Sequence, residues 1–228
     1  EPVAGKLVSR EISRILTPGS IDDATLLDDQ RPNYLAAVCR YGKSVGLACV
    51  EHTTGQFTIA EFCDSGHLDD ELARISPSEL LIPDHQSAEF EKLTNLIYEG
   101  YTFLPEHASQ LLKDHFAVHS LDGFGCGNLH AASGAAGSIL HYLIHQLRRP
   151  CGHLQPPKLR ESADHVLIDA ASQRNLDLVD SRAGKAHTLL GVLDRTATPM
   201  GARLLRDWIL HPLRDLAALT ARQETIAA

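Results

Sequence analysis

No apolar run in this 228-residue chain approaches the roughly 20 residues needed to cross a bilayer, and its first residues lack the pattern of a secretion signal. The five cysteines, at 39, 49, 63, 126 and 151, show no paired spacing. With Cys39 and Cys49 flanked by apolar residues, they read as reduced core thiols of a cytosolic protein. Positive charge is also short. The chain sets 21 Lys and Arg against 29 Asp and Glu, a net charge of −8. Such a surface repels phosphate overall and argues against a main grip on nucleic acid. Catalytic signatures are missing too. The chain has no G-x-x-x-x-G-K-[ST] phosphate loop, no G-x-S-x-G elbow and no H-E-x-x-H zinc motif. The expectation is no hydrolysis and no cofactor or metal in this segment.

What is present falls into two textures. Residues 1–14 form a polar lead-in, and Thr17-Pro18-Gly19-Ser20 is turn chemistry. Asp22-Asp23 before Leu26-Leu27 suggests a short capped helix. Strands are predicted over 34–40, 45–51 and 56–61. The gaps Tyr41-Gly42-Lys43-Ser44 and His52-Thr53-Thr54-Gly55 favour antiparallel hairpins. A helix follows around Leu68, Leu72 and Ile75, then a strand over 79–82, a helix over about 86–98, a strand over 101–104 and a helix from Glu106. This is an α/β domain, a mixed sheet flanked by helices, over 15–150. Ala132, Ala136, Ile139, Leu140, Leu143, Ile144 and Leu147 predict a long amphipathic helix over about 129–147. Its Gly134, Ala135 and Gly137 would admit another backbone closely. Gln155-Pro156-Pro157 marks a linker over 151–165. Arg148, Arg149, Lys158 and Arg160 around it read as a solvated connection. From 166 to 228 the chain is mostly helical. It opens at Glu1 and ends inside a predicted helix, as a piece of a longer protein would.

The C-terminal stretch is the most specific. Thr198 suits an N-cap and Pro199 the first helical position. Met200, Leu204, Leu205, Trp208 and Ile209 share one helical stripe, and Pro212 stops the helix near His211. Asp215 can cap a second helix bearing Leu216, Leu219 and Ile226. The run from Leu193 through Trp208, closed by His211-Pro212-Leu213-Arg214-Asp215, resembles the core-domain signature of the MutS family of mismatch-repair proteins. Arg174-Asn175-Leu176 within 168–178 resembles the element opening that core. Further similar stretches are Arg14 to Ser20, Leu35 to Cys39, Gly46-Leu47-Ala48, Thr54-Gly55-Gln56-Phe57 and Ser78-Glu79-Leu80-Leu81. They resemble the family's connector and the passage into it.

The resemblance implies an RNase H-like connector domain followed by the first part of a helical core or lever domain, with 1–14 leading in from a mismatch-binding domain. It implies a parent that is dimeric, binds mismatched double-stranded DNA, uses ATP and Mg, and works in the cytoplasm, at the nucleoid when on DNA. The connector would help to recruit a MutL homologue. The family's mismatch-wedge Phe-x-Glu motif is absent here. Arg174, Asn175, Leu176, Thr198, Pro199, Met200, Gly201, Arg203, Leu204, Trp208 and Pro212 carry the likeness, with structural and coupling roles expected. A Trp208→Ala change would cost roughly 3–5 kcal/mol if the ring is fully enclosed. Apolar stripes that later core segments would cover should drive partial disorder or self-association. Glu106, Gln110 and Lys113, in the stretch least like the family, are the candidate partner surface.

The rival is a stand-alone RNase H-like metal-dependent nuclease, which needs carboxylates converging on two cations. The first predicted strand has no acid, and Glu51 and Glu61 read as solvated charges at strand ends. His141 and His145 share a helix face, and Cys151 and His153 could complete a metal set, although thirteen His make chance proximity the simpler reading. Gly123-Phe124-Gly125-Cys126-Gly127 lacks the lysine of a phosphate loop and reads as a turn before a helix. Ser133 has no acid–His partners in the pattern.

Overall fold

The computed structural model describes residues 15–20, 32–91, 93, 96–160 and 165–227; the helix expected around Asp22 to Leu27 lies outside them. Strand β1 (Tyr34–Tyr41) carries Leu35 to Cys39 buried without interruption, as a central strand covered on both faces should. It pairs antiparallel with β2 (Ser44–Glu51) through the tight Gly42-Lys43 turn, where Gly42 takes φ +60. β3 (Gln56–Phe62) adds antiparallel to β2, with Gly55 at φ +74 in the connection. β4 (Glu79–Pro83) lies parallel to β1, and β5 (Leu96–Tyr98) parallel to β4. β6 (Lys158–Leu159) lies parallel to β3. The order is β5-β4-β1-β2-β3-β6, a mixed six-stranded sheet.

Alternation along β1 and β2 divides the core. One face puts Leu35, Ala37, Cys39, Ala48 and Val50 against α2 (Pro105–Phe116) and α3 (His130–His141). The other puts Ala36, Val38, Leu47 and Cys49 against Leu68 and Leu72 of α1 (Ser65–Ile75), which Asp64 caps. Small residues bring α3 onto the sheet. A Cβ at Gly46 would stand 2.1 Å from the Ala131 carbonyl carbon and 2.3 Å from Ala132 N. Backbone meets backbone there, so Gly46→Ala should destabilise by about 1–3 kcal/mol in a thermal melt. An unchanged melt would place α3 further from β2.

Two expected elements are different in the structure. The described residues of 86–98 form no α-helix. A 3-10 turn (Asp84–Gln86) is followed by turns as far as residue 91, and Leu96–Tyr98 form edge strand β5. The Gln86 side chain instead pairs with the backbone of Arg40, whose N–H donates to Oε1 at 2.7 Å while Nε2 donates to the carbonyl at 2.9 Å. Residues 101–104 are not a strand either. They lie in and just after a 3-10 turn (Gly100–Phe103), held by the Thr102 hydroxyl donating to the Glu99 carbonyl at 2.7 Å. α3 continues into a π turn (Tyr142–Gln146). The stretch read as a linker runs along the sheet edge, with Gln155 N–H donating to Gly55 O and Arg160 N–H to Ile59 O, each at 2.8 Å.

The helical segment comprises α4 (Ala170–Asn175), α5 (Leu189–Leu193), α6 (Pro199–Leu210) and α7 (Leu216–Ala227). Asp169, Thr188 and Thr198 cap the first three through N–H bonds to their side chains. Asp215 accepts from Ala218 N at 2.9 Å at the start of α7. α6 does not bury the expected apolar stripe. Ala202, Arg206 and Leu210 are the buried residues, whereas Met200 is 77% and Leu204 49% exposed. The helix packs Leu210 and Ile209 on Leu178 and Val179, and beside that contact Arg203 and Asp207 meet charged partners on the sheet domain. The Trp208 ring is only partly enclosed, with Arg222 Cζ 4.1 Å from its centroid. The condition attached to a 3–5 kcal/mol loss is therefore not met.

Candidate coupling junction

Glu71 and Arg74 stand one turn apart on α1, and both are over nine-tenths buried. A charge is retained inside only when it is paired and hydrogen-bonded. Glu71 binds Arg74 Nη1 and accepts from Arg160 Nη1 at 3.2 Å. Arg160 reaches it because its backbone is held beside β3, just past β6. From the other side, α6 contributes Asp207 and His211, four residues apart and so on one face. His211 Nδ1 is 2.8 Å from Asp207 Oδ1. Its Nε2 is 3.0 Å from Arg160 Nη1 and 3.9 Å from Glu71 Oε1. Arg160 Nη2 is 3.9 Å from Asp207 Oδ1. One network thus joins α1, the sheet edge and α6, with Glu71, Arg74 and His211 buried at its centre and Asp207 half-exposed at its rim.

A second tie lies at the end of β2. Glu51, 1% exposed, accepts from both Thr53 and Thr54 hydroxyls, from Thr54 N at 3.1 Å and from Arg203 Nη1 at 3.4 Å. Ala170 N–H adds a contact to α1 at Asp70 Oδ1, 3.4 Å away, and within the helical segment Val166 N–H donates to Pro212 O at 2.8 Å. Between the ties lies a cleft of about 700 Å³ lined by Tyr34, Glu51, Arg160, Met200, Arg203 and Leu204, among others.

The electrostatics follow from this packing. Burial opposes ionisation of Glu71, but the His211 imidazole and the Arg74 and Arg160 charges outweigh it and hold its carboxyl near 2. Burial likewise opposes the charged forms of Asp207 and His211. Their mutual bond, helped for His211 by Glu71, lowers the first and raises the second. Carboxylates lowered in the folded state stabilise it above their unfolded range, and that contribution is lost as pH falls from 4.5 toward 2. A raised His211 contributes below 6.5, and that part is lost as pH rises through its raised value. The melting temperature should therefore peak between those limits and fall on both sides. A melt independent of pH from 4.5 to 2 would contradict the burial of Glu71. Buried Cys39 and Cys49 are each pushed up to about 12 by burial, which makes them inert thiols.

Sequence reasoning missed this network. Arg160 is not a solvated connection residue, because its guanidinium is sandwiched between α1 and α6. Arg149 is also buried, at 4% exposed. Glu51 is not a solvated turn charge, and Glu61 accepts from Ala132 N at 3.1 Å at the start of α3. The i,i+3 pair Glu71/Arg74 and the i,i+4 pair Asp207/His211 were the available signals.

Of the expected motif residues, only Arg203 enters the second tie. Thr198 accepts from Gly201 N at 3.1 Å with Pro199 at the first helical position, and Pro212 supplies its carbonyl to Val166. Arg174 Nε bonds its own helix at Ala170 O, and Leu176 is 62% exposed. Met200 and Leu204 border the cleft, beside Gly201. Glu106, Gln110 and Lys113 lie on α2, opposite its buried Ala108 and Leu112, and Gln110 bonds Asp114 at 2.8 Å.

The other candidates resolve into structure. His141 and His145 are adjacent, with ring centroids 4.4 Å apart, but His141 is bonded to Tyr98 and Tyr101 hydroxyls at 2.9 and 3.3 Å. His153 pairs instead with His52 O at 2.6 Å, and Cys151 with Arg149 O. Among the described residues no three His, Cys, Asp or Glu are grouped to hold a metal. A Cβ at Gly127 would meet Asp122 Oδ1 at 1.7 Å, so a carboxylate sits in the glycine-rich turn where a phosphate would need to be. Ser133 Oγ donates to Cys126 O at 3.2 Å.

Residues 33–155 match MutS domain II, and residues 171–228 match MutS domain III. The chain is 37% identical over 234 residues to a DNA mismatch repair protein MutS from Protochlamydia amoebophila (strain UWE25), covering 97% of this chain and 27% of that protein. Against the protein of the same name from Chlamydia abortus (strain DSM 27085 / S26/3), identity is 38% over 232 residues, covering 96% and 28%. The chain thus spans little more than a quarter of the length of these relatives.

Proposed function

Because the chain belongs to the MutS family of DNA mismatch repair proteins, we propose that it is a coupling and interaction module rather than a self-sufficient enzyme. The observation that carries this is the Glu71–Arg160–His211–Asp207 network, which ties the sheet domain to α6. A helix held by charge-assisted hydrogen bonds to the sheet domain moves with that body, since undocking would break those bonds. Within a full-length, dimeric parent, such a junction would carry motion between mismatched-DNA binding and an ATPase. ATP and Mg would be held by parts outside this chain, since neither a phosphate loop nor a metal grouping among the described residues fits them.

The nuclease reading is not favoured. β1 has no Asp or Glu, and Glu51 and Glu61 are engaged internally. Among the described residues no helix is long and apolar enough to cross a membrane, in keeping with a cytoplasmic site of action.

For recruitment of a MutL homologue, the surface proposed is Glu106, Gln110 and Lys113. Calorimetric titration of this chain with a MutL homologue, beside a mismatched duplex, tests the module. Binding to the protein and not the DNA is expected, and charge reversal at Glu106 and Lys113 should weaken it. Binding to neither partner would reduce the chain to a passive link, and unchanged affinity after the reversals would move the surface elsewhere.

A further inference from the structure

The ring of His211 is caught between partners that demand opposite things of it. Arg160 Nη1, which can only donate, stands 3.0 Å from Nε2, while Asp207 Oδ1, which can only accept when ionised, stands 2.8 Å from Nδ1. Both contacts are bonds only if Nδ1 carries the ring's proton and Nε2 carries none. The residue is 8% exposed. A second acceptor, Glu71 Oε1, waits 3.9 Å from the same Nε2. Among the described residues, the remaining charged or titratable groups facing this knot are Arg74 on α1, His165 with its ring 5.8 Å away, and Tyr34 and Cys49 beside Arg160.

We propose that His211 is a one-proton switch that exchanges the partner to which α6 is tied. Neutral, its Nε2 accepts from Arg160 and fastens α6 to the short edge strand β6. When a proton from solvent adds at Nε2, the Arg160 bond becomes a clash of two donors. The new N–H turns to Glu71, tying α6 directly to α1. β6 makes only two residue pairs with β3, so its hold on the sheet depends on neighbours such as the Arg160 guanidinium. The raised proton affinity of His211, which burial opposes and Asp207 and Glu71 supply, brings the exchange toward neutral pH. This inference rests on the coupling reading and names the regulation of that same junction.

The test is long-range ¹⁵N NMR of the His211 ring in the whole chain across neutral pH, with amide exchange followed at Arg160, whose N–H donates to Ile59 O at 2.8 Å. The expected result is the Nδ1–H tautomer at high pH. On protonation, Arg160 amide exchange, corrected for intrinsic pH dependence, should quicken about fivefold while Ala170, bonded to Asp70 on α1, stays protected. His211→Gln should remove the step. An Nε2–H tautomer at high pH, or protonation that leaves Arg160 unchanged, overturns the switch, while a protected Ala170, whose N–H donates to Asp70 on α1, keeps the coupling reading. An unprotected Ala170 at every pH overturns both.

Discussion

Replacing Glu71 with Ala should lower the melting temperature by roughly 6–20 °C. The carboxylate is 6% exposed and serves Arg74 and Arg160 at once. Its removal leaves the buried Arg74 guanidinium without its carboxylate, and Arg160, on the cleft wall, with Asp207 at 3.9 Å. Breaking a buried pair from one side costs about 3–5 kcal/mol, mostly as the penalty of the stranded charge. At about 2–4 °C per kcal/mol for a chain of this size, that gives the range stated. Glu71→Gln separates charge from shape, because the amide keeps the volume and one acceptor. It should fall nearly as far if charge compensation dominates. A Glu71→Ala melt within 2 °C of wild type would mean that solvent, not burial, surrounds this group.

Glu51→Ala should be the next most damaging change, at about 3 kcal/mol. Four donors converge on that carboxylate, from Thr53, Thr54 and Arg203. Bonds to a charged acceptor are worth about 1.5–3 kcal/mol singly and do not add. The Arg203 part is separable: a double-mutant cycle of Glu51→Ala with Arg203→Ala should return a coupling of about 1 kcal/mol. Zero coupling would leave the loss local to the β2–β3 turn and remove the second tie from the junction.

The contrast between these acids and the legible parts of the sequence is physical. Unbroken apolar runs and Gly-bearing gaps announced β1 to β3, because burial on both faces writes itself into composition. Thr198, Pro199 and Asp215 announced their helices, because caps act within four residues. Residues 86–98 misled because their pattern of apolar residues suits a helix, while a single amide, on Gln86, finds a better bond 46 positions away at Arg40. Long-range pairing of that kind leaves no local trace. The junction was hidden for the same reason. Glu71 and Arg160 are 89 residues apart, and each alone resembles an ordinary surface charge. The α6 stripe of Met200, Leu204 and Trp208 has the pattern of a core face, yet Ala202 and Leu210 are what pack inside, beside the charged contacts of Arg203 and Asp207.

The chain supplies its own reporters for the central claim, that sheet domain and α6 act as one body. Its single Trp, Trp208, sits on α6, and Cys39 and Cys49 are buried in the sheet at 2% exposure each. Denaturant unfolding should therefore be followed by Trp208 fluorescence and, in parallel, by mass-resolved labelling of those two thiols. The account predicts coincident midpoints in the wild-type chain, with the fluorescence transition moving to lower denaturant, ahead of the thiols, in Glu71→Ala. Separate midpoints in the wild type would contradict it, showing that α6 leaves the sheet domain without consequence for it.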